Sequence, residues 1–396
     1  MNMSPNPSTR RRPLLRAAIP SFALAAALMT VGSVTTPPAQ AAPTTQTSPG
    51  GRPGTVFASR DLPRDRLAPM AATGDSFTYW TTGTDGTPRL SAGTVQVPKG
   101  AAPRAGWPVI VWAHGARGIA DRCAPSVRPV TADTRAARRW VERGYAVITP
   151  DYAGLGTPGT PQYFDTATTA RNIVDAVRAG RDVAAHLSRR WAVVGETQGA
   201  AAAVELARQA TRLQGPSLDY RGSVASSVPV EFDSLMGGLG PSTGSMPSGV
   251  TAEVLYTLSA LRNARPSIGL DSYLTDTGVT WLNRAASLCA DDLTPEVAGL
   301  SLGSLLRKPL ADNRELMDVV SQSHMIPIRG FSRSVLLTQS LFDQNVIVPL
   351  SLRYLNDARA ADSRVSARTY LVLNDQQADA LSDNDIRAFV SRLLYR

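Results

Sequence analysis

Residues 191–202 run Trp191-Ala-Val-Val-Gly195-Glu196-Thr197-Gln198-Gly199-Ala-Ala-Ala. An apolar run suited to a buried strand passes through a Gly-x-x-x-Gly turn into an alanine-rich stretch suited to a helix. Glycines two residues either side of the apex let strand and helix pack closely around it, and a hydroxyl held at such an apex is presented for nucleophilic attack. Serine is the residue that chemistry uses, whereas the apex here is Thr197. A β-branched side chain is unfavourable where the apex takes positive φ, and its secondary alcohol is the more crowded nucleophile. The turn is kept while the catalytic demand on it is relaxed.

Short continuous apolar runs at 108–113 and 145–149 have the length and composition of parallel strands covered on both faces. Between them 135–143 predicts a helix closed by Gly144, and 166–187 predicts a longer one with Ile173, Val174, Val177, Val183, Ala184 and Leu187 on one face. After the elbow come a helix over 198–213 and a strand over 221–225. Further on, a strand over 334–338, a helix over 350–358, a strand over 368–373 and a final helix over 383–394 continue the alternation. Repeated βα units predict an α/β protein with a doubly wound, mostly parallel sheet. Runs at 77–80 and 92–97, separated by Asp85-Gly86, predict an opening antiparallel meander. Between about 233 and 328 the strand rhythm stops, and Gly/Ser/Pro-rich pieces alternate with helical ones at 252–262 and 295–306, which predicts an inserted helical cap. The organisation expected is a leader over 1–41, a Pro/Thr/Ser/Gly-rich tether over 42–70, core over 71–232 and 329–396, and the cap over 233–328.

The leader carries Arg10, Arg11, Arg12 and Arg16, a soft apolar run from Phe22 to Val31, and Ala39-Gln40-Ala41. A basic start, a short apolar run and small residues ahead of a cut describe a secretory signal. The expectation is therefore a secreted protein, cell-envelope association included, whose mature chain begins at Ala42. Thr9-Arg10-Arg11-Arg12-Pro13-Leu14 suits a twin-arginine route as well as an ordinary basic leader, and both stay open. The apolar run is shorter than the roughly 20 residues a spanning helix needs. The formal charge of +9 drops to +5 without the leader's four arginines. No basic cluster interleaved with aromatics follows, so nucleic acid is not an expected partner. The two cysteines, Cys123 and Cys289, have one pairing available, and export permits it; two buried free thiols are the alternative. No metal-ligand spacing and no cofactor fingerprint is present, so neither is expected.

From about Gly54 to the C-terminus the chain resembles the secreted lipases of actinobacteria and fungi, the α/β-hydrolase family that includes the yeast lipase A type. The residues that carry the resemblance are Gly106-Trp-Pro-Val-Ile-Val-Trp-Ala-His-Gly115, Ala120-Asp-Arg-Cys-Ala-Pro-Ser126, Gly144-Tyr-Ala-Val-Ile-Thr-Pro-Asp-Tyr-Ala-Gly-Leu-Gly156 and the elbow, in that order and spacing. The resemblance implies an α/β-hydrolase fold and a lipase or esterase whose serine would stand at Thr197, with Gly195 and Gly199 as the elbow glycines. It implies an oxyanion hole from the N–H of Gln198 and one from the loop of Gly115 and Ala116. The acid would follow the strand over 334–338. Asp343 is favoured, with Asn345 the position in a shifted register. The base would stand after the last strand, where Tyr370-Leu-Val-Leu-Asn-Asp375-Gln376-Gln377 contains no histidine; the register chosen puts Gln376 there, with Asp375 beside it.

Neither residue can take and return a proton near neutrality as imidazole does. The chain holds three histidines. His186 and His324 are expected to be surface or helix-end residues, and His114, which the family has beside a separate catalytic histidine, a structural one. Losing either the serine or the histidine of such a triad costs on the order of 10⁴ to 10⁶ in rate, and both are changed here. The expected function is that of a catalytically impaired lipase-like protein that binds a lipid, ester or cell-envelope ligand. The alternatives are a weak ester hydrolase using Thr197 and a non-enzymatic interaction module.

Overall fold

The computed structural model describes residues 51–161, 163, 165–371 and 375–395, with the backbone path alone for 375–380. The expected leader lies outside the described residues. The first strands are β1 (Val56–Asp61), β2 (Ala71–Thr82), β3 (Pro88–Pro98) and β4 (Trp107–Ala113). After them come α1 (Thr131–Val141), β5 (Ala146–Pro150), α2 (Thr166–Val183), β6 (Leu187–Glu196), α3 (Gln198–Leu213) and β7 (Asp219–Ser226). Five helices intervene before the sheet resumes: α4 (Phe232–Gly237), α5 (Ser248–Ala264), α6 (Asp276–Ser287), α7 (Ala290–Glu296) and α8 (Arg314–Ser323). The chain then adds β8 (Ser334–Ser340), α9 (Val348–Ala361), β9 (Val365–Tyr370) and α10 (Asp375–Tyr395).

The strands form one sheet in the order β1-β2-β3-β5-β4-β6-β7-β8-β9. The meander β1, β2 and β3 is antiparallel and joins β5 antiparallel; every later pairing is parallel. Alternate residues of the central strands feed two cores. Val109, Val111, Trp191 and Val193 pack with α2, α3 and α9, while Ile110, Trp112, Ala192 and Val194 pack with α1 and α10. A strand buried on both faces has no polar side, hence the unbroken apolar runs. From β4 the chain moves outward to β5 and then returns past β4 to β6, so the direction of winding reverses at these two strands. In open α/β sheets ligands settle at the carboxyl ends of the strands where that reversal occurs.

Two expectations are corrected. The segment assigned to the tether holds β1, paired with β2 from Val56 opposite Tyr79 to Asp61 opposite Asp75. Five of its six residues are exposed. An edge strand held by backbone bonds needs no apolar alternation, and composition alone cannot reveal it. The helix expected over 295–306 lies earlier, as α7, with Pro295 within its last turn. Proline lacks the N–H a helix would need further on, and Gly299 at φ +77° turns the chain away; Leu302–Leu305 is a single 3₁₀ turn.

The cap has its own apolar core, built on α5, α6 and α8 and joined by Ile119 and Tyr163 from the loops of the sheet. Its firmest tie to the sheet is the disulfide Cys123–Cys289, which connects the 3₁₀ turn after β4 to the residue capping α7, at a sequence separation of 166. Closing a loop of that length restricts the unfolded chain by about 5 kcal/mol in the chain-entropy treatment. Cys123→Ala/Cys289→Ala, or reduction of the native protein, should therefore lower the thermal midpoint by many degrees, read by circular dichroism. An unchanged midpoint would mean that the crosslink contributes nothing.

Candidate active site

β6 runs between β4 and β7, with Gly195 opposite Ala113 on one side and Ala225 on the other. The chain turns into α3 at Thr197, whose φ of +44° and ψ of −109° lie outside the regions a β-branched residue prefers. Such a conformation costs of order 1–3 kcal/mol and persists only when its surroundings over-determine it. Here they do. A Cβ on Gly199 would collide with the Ala113 carbonyl, and one on Gly195 with the carbonyl of Gly199. The Thr197 N–H is anchored to the Ser226 carbonyl at 3.0 Å. Gln198 opens α3, so its N–H is among those no residue of the helix can accept.

The loop after β4 faces the apex. Ala116 N–H donates to Thr197 Oγ1 at 3.3 Å, and a Cβ on Gly115 would strike that same oxygen. His114 is fully buried, its ring stacked on Tyr152 with centroids 4.3 Å apart and its Nδ1 donating to the Gly115 carbonyl at 2.7 Å. Burial, then the nearby Arg117 charge, lowers its pKa to about 4, so the ring is neutral at pH 7 and props the loop. Tyr152 in turn donates to the His114 carbonyl at 3.1 Å. Arg117 binds Asp133 of α1 with Nη2 at 2.7 Å and Nε at 3.2 Å, both residues buried. Asp133 also receives Trp112 Nε1 at 2.9 Å and Val130 N–H at 3.0 Å.

The expected acid, Asp343, is buried in the turn after β8. Its Oδ2 accepts from the Ser227 hydroxyl and from Gln339 Nε2 at 3.2 Å, and its Oδ1 from Asn345 N–H at 2.8 Å. Asn345, the shifted-register position, lines the space above Thr197. Gln376 falls in the first turn of α10, and its side chain is outside the described residues. No other histidine takes its place: His186 is exposed in the turn that opens β6, at the far end of that strand from Thr197. His324 is buried at the end of α8, stacked on Phe232 with centroids 4.7 Å apart, and burial lowers its pKa to about 4.

The space above Thr197 is a cavity of about 80 Å³, with Thr197, Glu196 and Arg117 below and α5 and α7 of the cap above. At roughly 30 Å³ per water it holds two or three water molecules, far below the 300 Å³ or more of an ordinary small-molecule site. Sequence reasoning missed the most unusual residue in it. Glu253 of α5 is only 4% exposed, and among the described residues nothing donates a hydrogen bond to it. Burial, and secondarily the charge of Asp343, pushes its pKa well above the usual carboxylate range. The signal was available: Glu253 is the sole charged residue between Asp233 and Arg262.

Solved structures share this architecture. The rice cell wall degrading esterase LipA from Xanthomonas oryzae superposes with a TM-score of 0.68 at 20% identity, over 87% of this chain and 99% of that one. Lipase A of Candida antarctica in its closed state superposes with a TM-score of 0.62 at 19% identity, over 81% of this chain and 77% of that one. No family model and no curated protein matches the sequence. The fold is that of the α/β-hydrolases. Among the described residues no cluster of His, Cys, Asp or Glu could hold a metal ion, and no helix is long and apolar enough to cross a membrane.

The Arg117–Asp133 pair generates a prediction. Burial raises the Asp133 pKa, but the charge and hydrogen bonds of Arg117 outweigh it and hold the group below the usual range. A folded pKa below the unfolded value of about 3.9 gives stability that is complete above pH 4 or so and is lost as the pH falls through the folded value. Asp133→Asn strands the buried guanidinium and should cost about 3–5 kcal/mol at pH 7. The gap from wild type should narrow in acid, as thermal midpoints measured from pH 7 to pH 3 would show.

Proposed function

We propose that this chain is an exported lipase- or esterase-like protein in which ester hydrolysis is impaired, and that its elbow serves to bind a ligand. The observation that carries the proposal is the bond from Ala116 N–H to Thr197 Oγ1. In a working acyl-transfer site that donor stabilises the oxyanion while the apex hydroxyl gives its proton to an imidazole. Here the apex hydroxyl itself occupies the donor, and the chain's three histidines are engaged or placed elsewhere. The small cavity supports the same reading, since with the cap seated its volume of about 80 Å³ falls short of a long acyl chain. Export is supported by the Ala39-Gln40-Ala41 pattern and by a buried disulfide, which oxidising compartments favour.

The test is repair. Wild type should turn over short- and long-chain acyl esters no faster than Thr197→Ala. Thr197→Ser alone should do little for want of a base, and Gln376→His alone should do little because the crowded nucleophile remains. Because triad members act as a unit, the double change should gain more than the product of the singles, on the order of 10² or above. Asp343→Asn in that background should remove the gain by freeing the imidazole from its orienting partner. Strong wild-type hydrolysis that disappears in Thr197→Ala would overturn the proposal.

A further inference from the structure

The cap places an acid directly above the elbow. Glu253 lines the same cavity as Thr197, is buried, and receives no hydrogen bond among the described residues. Its carboxyl opens onto the cavity and takes no bond from the described chain, so the complement to it must come from what enters that space. The surrounding charges define that complement. Glu196 shares the cavity, and Asp343, with both oxygens already engaged, adds a further negative charge nearby. Arg117, the one cation in the lining, is committed to Asp133. Tyr163 and Tyr256, the remaining titratable groups facing Glu253, have pKa values raised by burial and stay neutral. The upper wall therefore calls for a cation. The lower wall calls for an acceptor, because Thr197 Oγ1 takes its hydrogen bond from Ala116 and keeps its own proton to donate, with the free N–H groups of α3 behind it.

We propose that this cavity binds a small aminoacyl group, its ammonium on Glu253 and its carbonyl oxygen on the Thr197 hydroxyl. The proposal rests on the binding role argued above and names the chemistry of the ligand. About 80 Å³ accommodates a glycyl or alanyl unit and excludes a fatty acyl chain. Binding is coupled to a proton. Burial, and secondarily the charge of Asp343, favours the neutral carboxyl of Glu253 while no cation faces it. An arriving ammonium ion favours the carboxylate, so the carboxyl proton leaves to the buffer as the ion pair forms. Affinity consequently rises with pH until the ligand's own amine loses its charge.

The experiment is calorimetric titration of the full mature protein with glycinamide, in two buffers of different ionisation enthalpy, with acetamide as the probe lacking the amine. Glycinamide should bind at least tenfold tighter than acetamide and release protons on binding; acetamide should release none. Glu253→Gln should lose both the preference and the proton, and should keep or raise the thermal midpoint, because it replaces a buried carboxyl with no partner. Absence of glycinamide binding, equal binding of the two probes, or proton release that survives in Glu253→Gln would overturn the proposal. Neither probe is an ester, so its failure is separable from that of the impaired-hydrolysis reading, which ester turnover tests by itself.

Discussion

The structure depends on one backbone contact. α3 crosses the carboxyl end of β4 so closely that Gly199 lies against the Ala113 carbonyl with no space for a side chain, and Gly195 meets Gly199 in the same way. That approach fixes the position of Thr197, forces its positive φ, and aims the first N–H groups of α3 at the loop after β4. Everything chemical in the molecule is arranged around a point that the polypeptide reaches only by omitting two side chains.

Around that point the protein has spent its polar groups on support. His114 holds the loop by stacking and by a bond to the neighbouring carbonyl, Arg117 ties the loop to α1, and Asp343 is wrapped by three donors from three segments. Arg117 and Asp343 are satisfied within the chain. Glu253 differs in kind, being the one carboxyl of α5, whose other charged residue is Arg262 in the last turn, and among the described residues it meets no donor. A helix buried all round usually carries no charge at all, which sets this acid apart from its neighbours.

Much of the fold was legible because the relevant signals are local. The strand, elbow and helix around Thr197 follow from two glycines and an alanine run, and the helix spans Gln198–Leu213 as its sequence suggests. The double winding follows from apolar runs too continuous to have a wet face. What could not be read is what depends on distant partners. β1 exists because β2 offers it a free edge, and α7 ends where it does through Pro295 and Gly299. At the site, the elbow and its facing loop were legible as motif. The seating of Glu253 over Thr197 was not, since 56 residues and a change of layer separate the two in a chain whose cap has no repeating pattern to extrapolate.

The cap is fastened asymmetrically. At α7 it is joined to the sheet by the disulfide, by the Ala290 N–H on the Arg117 carbonyl at 3.1 Å, and by Gly118, where a Cβ would lie 3.2 Å from the Cys289 Cα. α5 is held by contact alone, with Gly249 against the Gln344 carbonyl and Asn345, while Glu253 and Tyr256 face the elbow across the cavity. A cap held covalently only at α7 would, if it moved, turn about that rivet. The rivet lies beside the loop that supplies Ala116, so a pivoting cap would carry Glu253 through an arc while the donor loop stayed at the fulcrum. The mouth of the site, and the group that guards it, would then be governed by the same rotation.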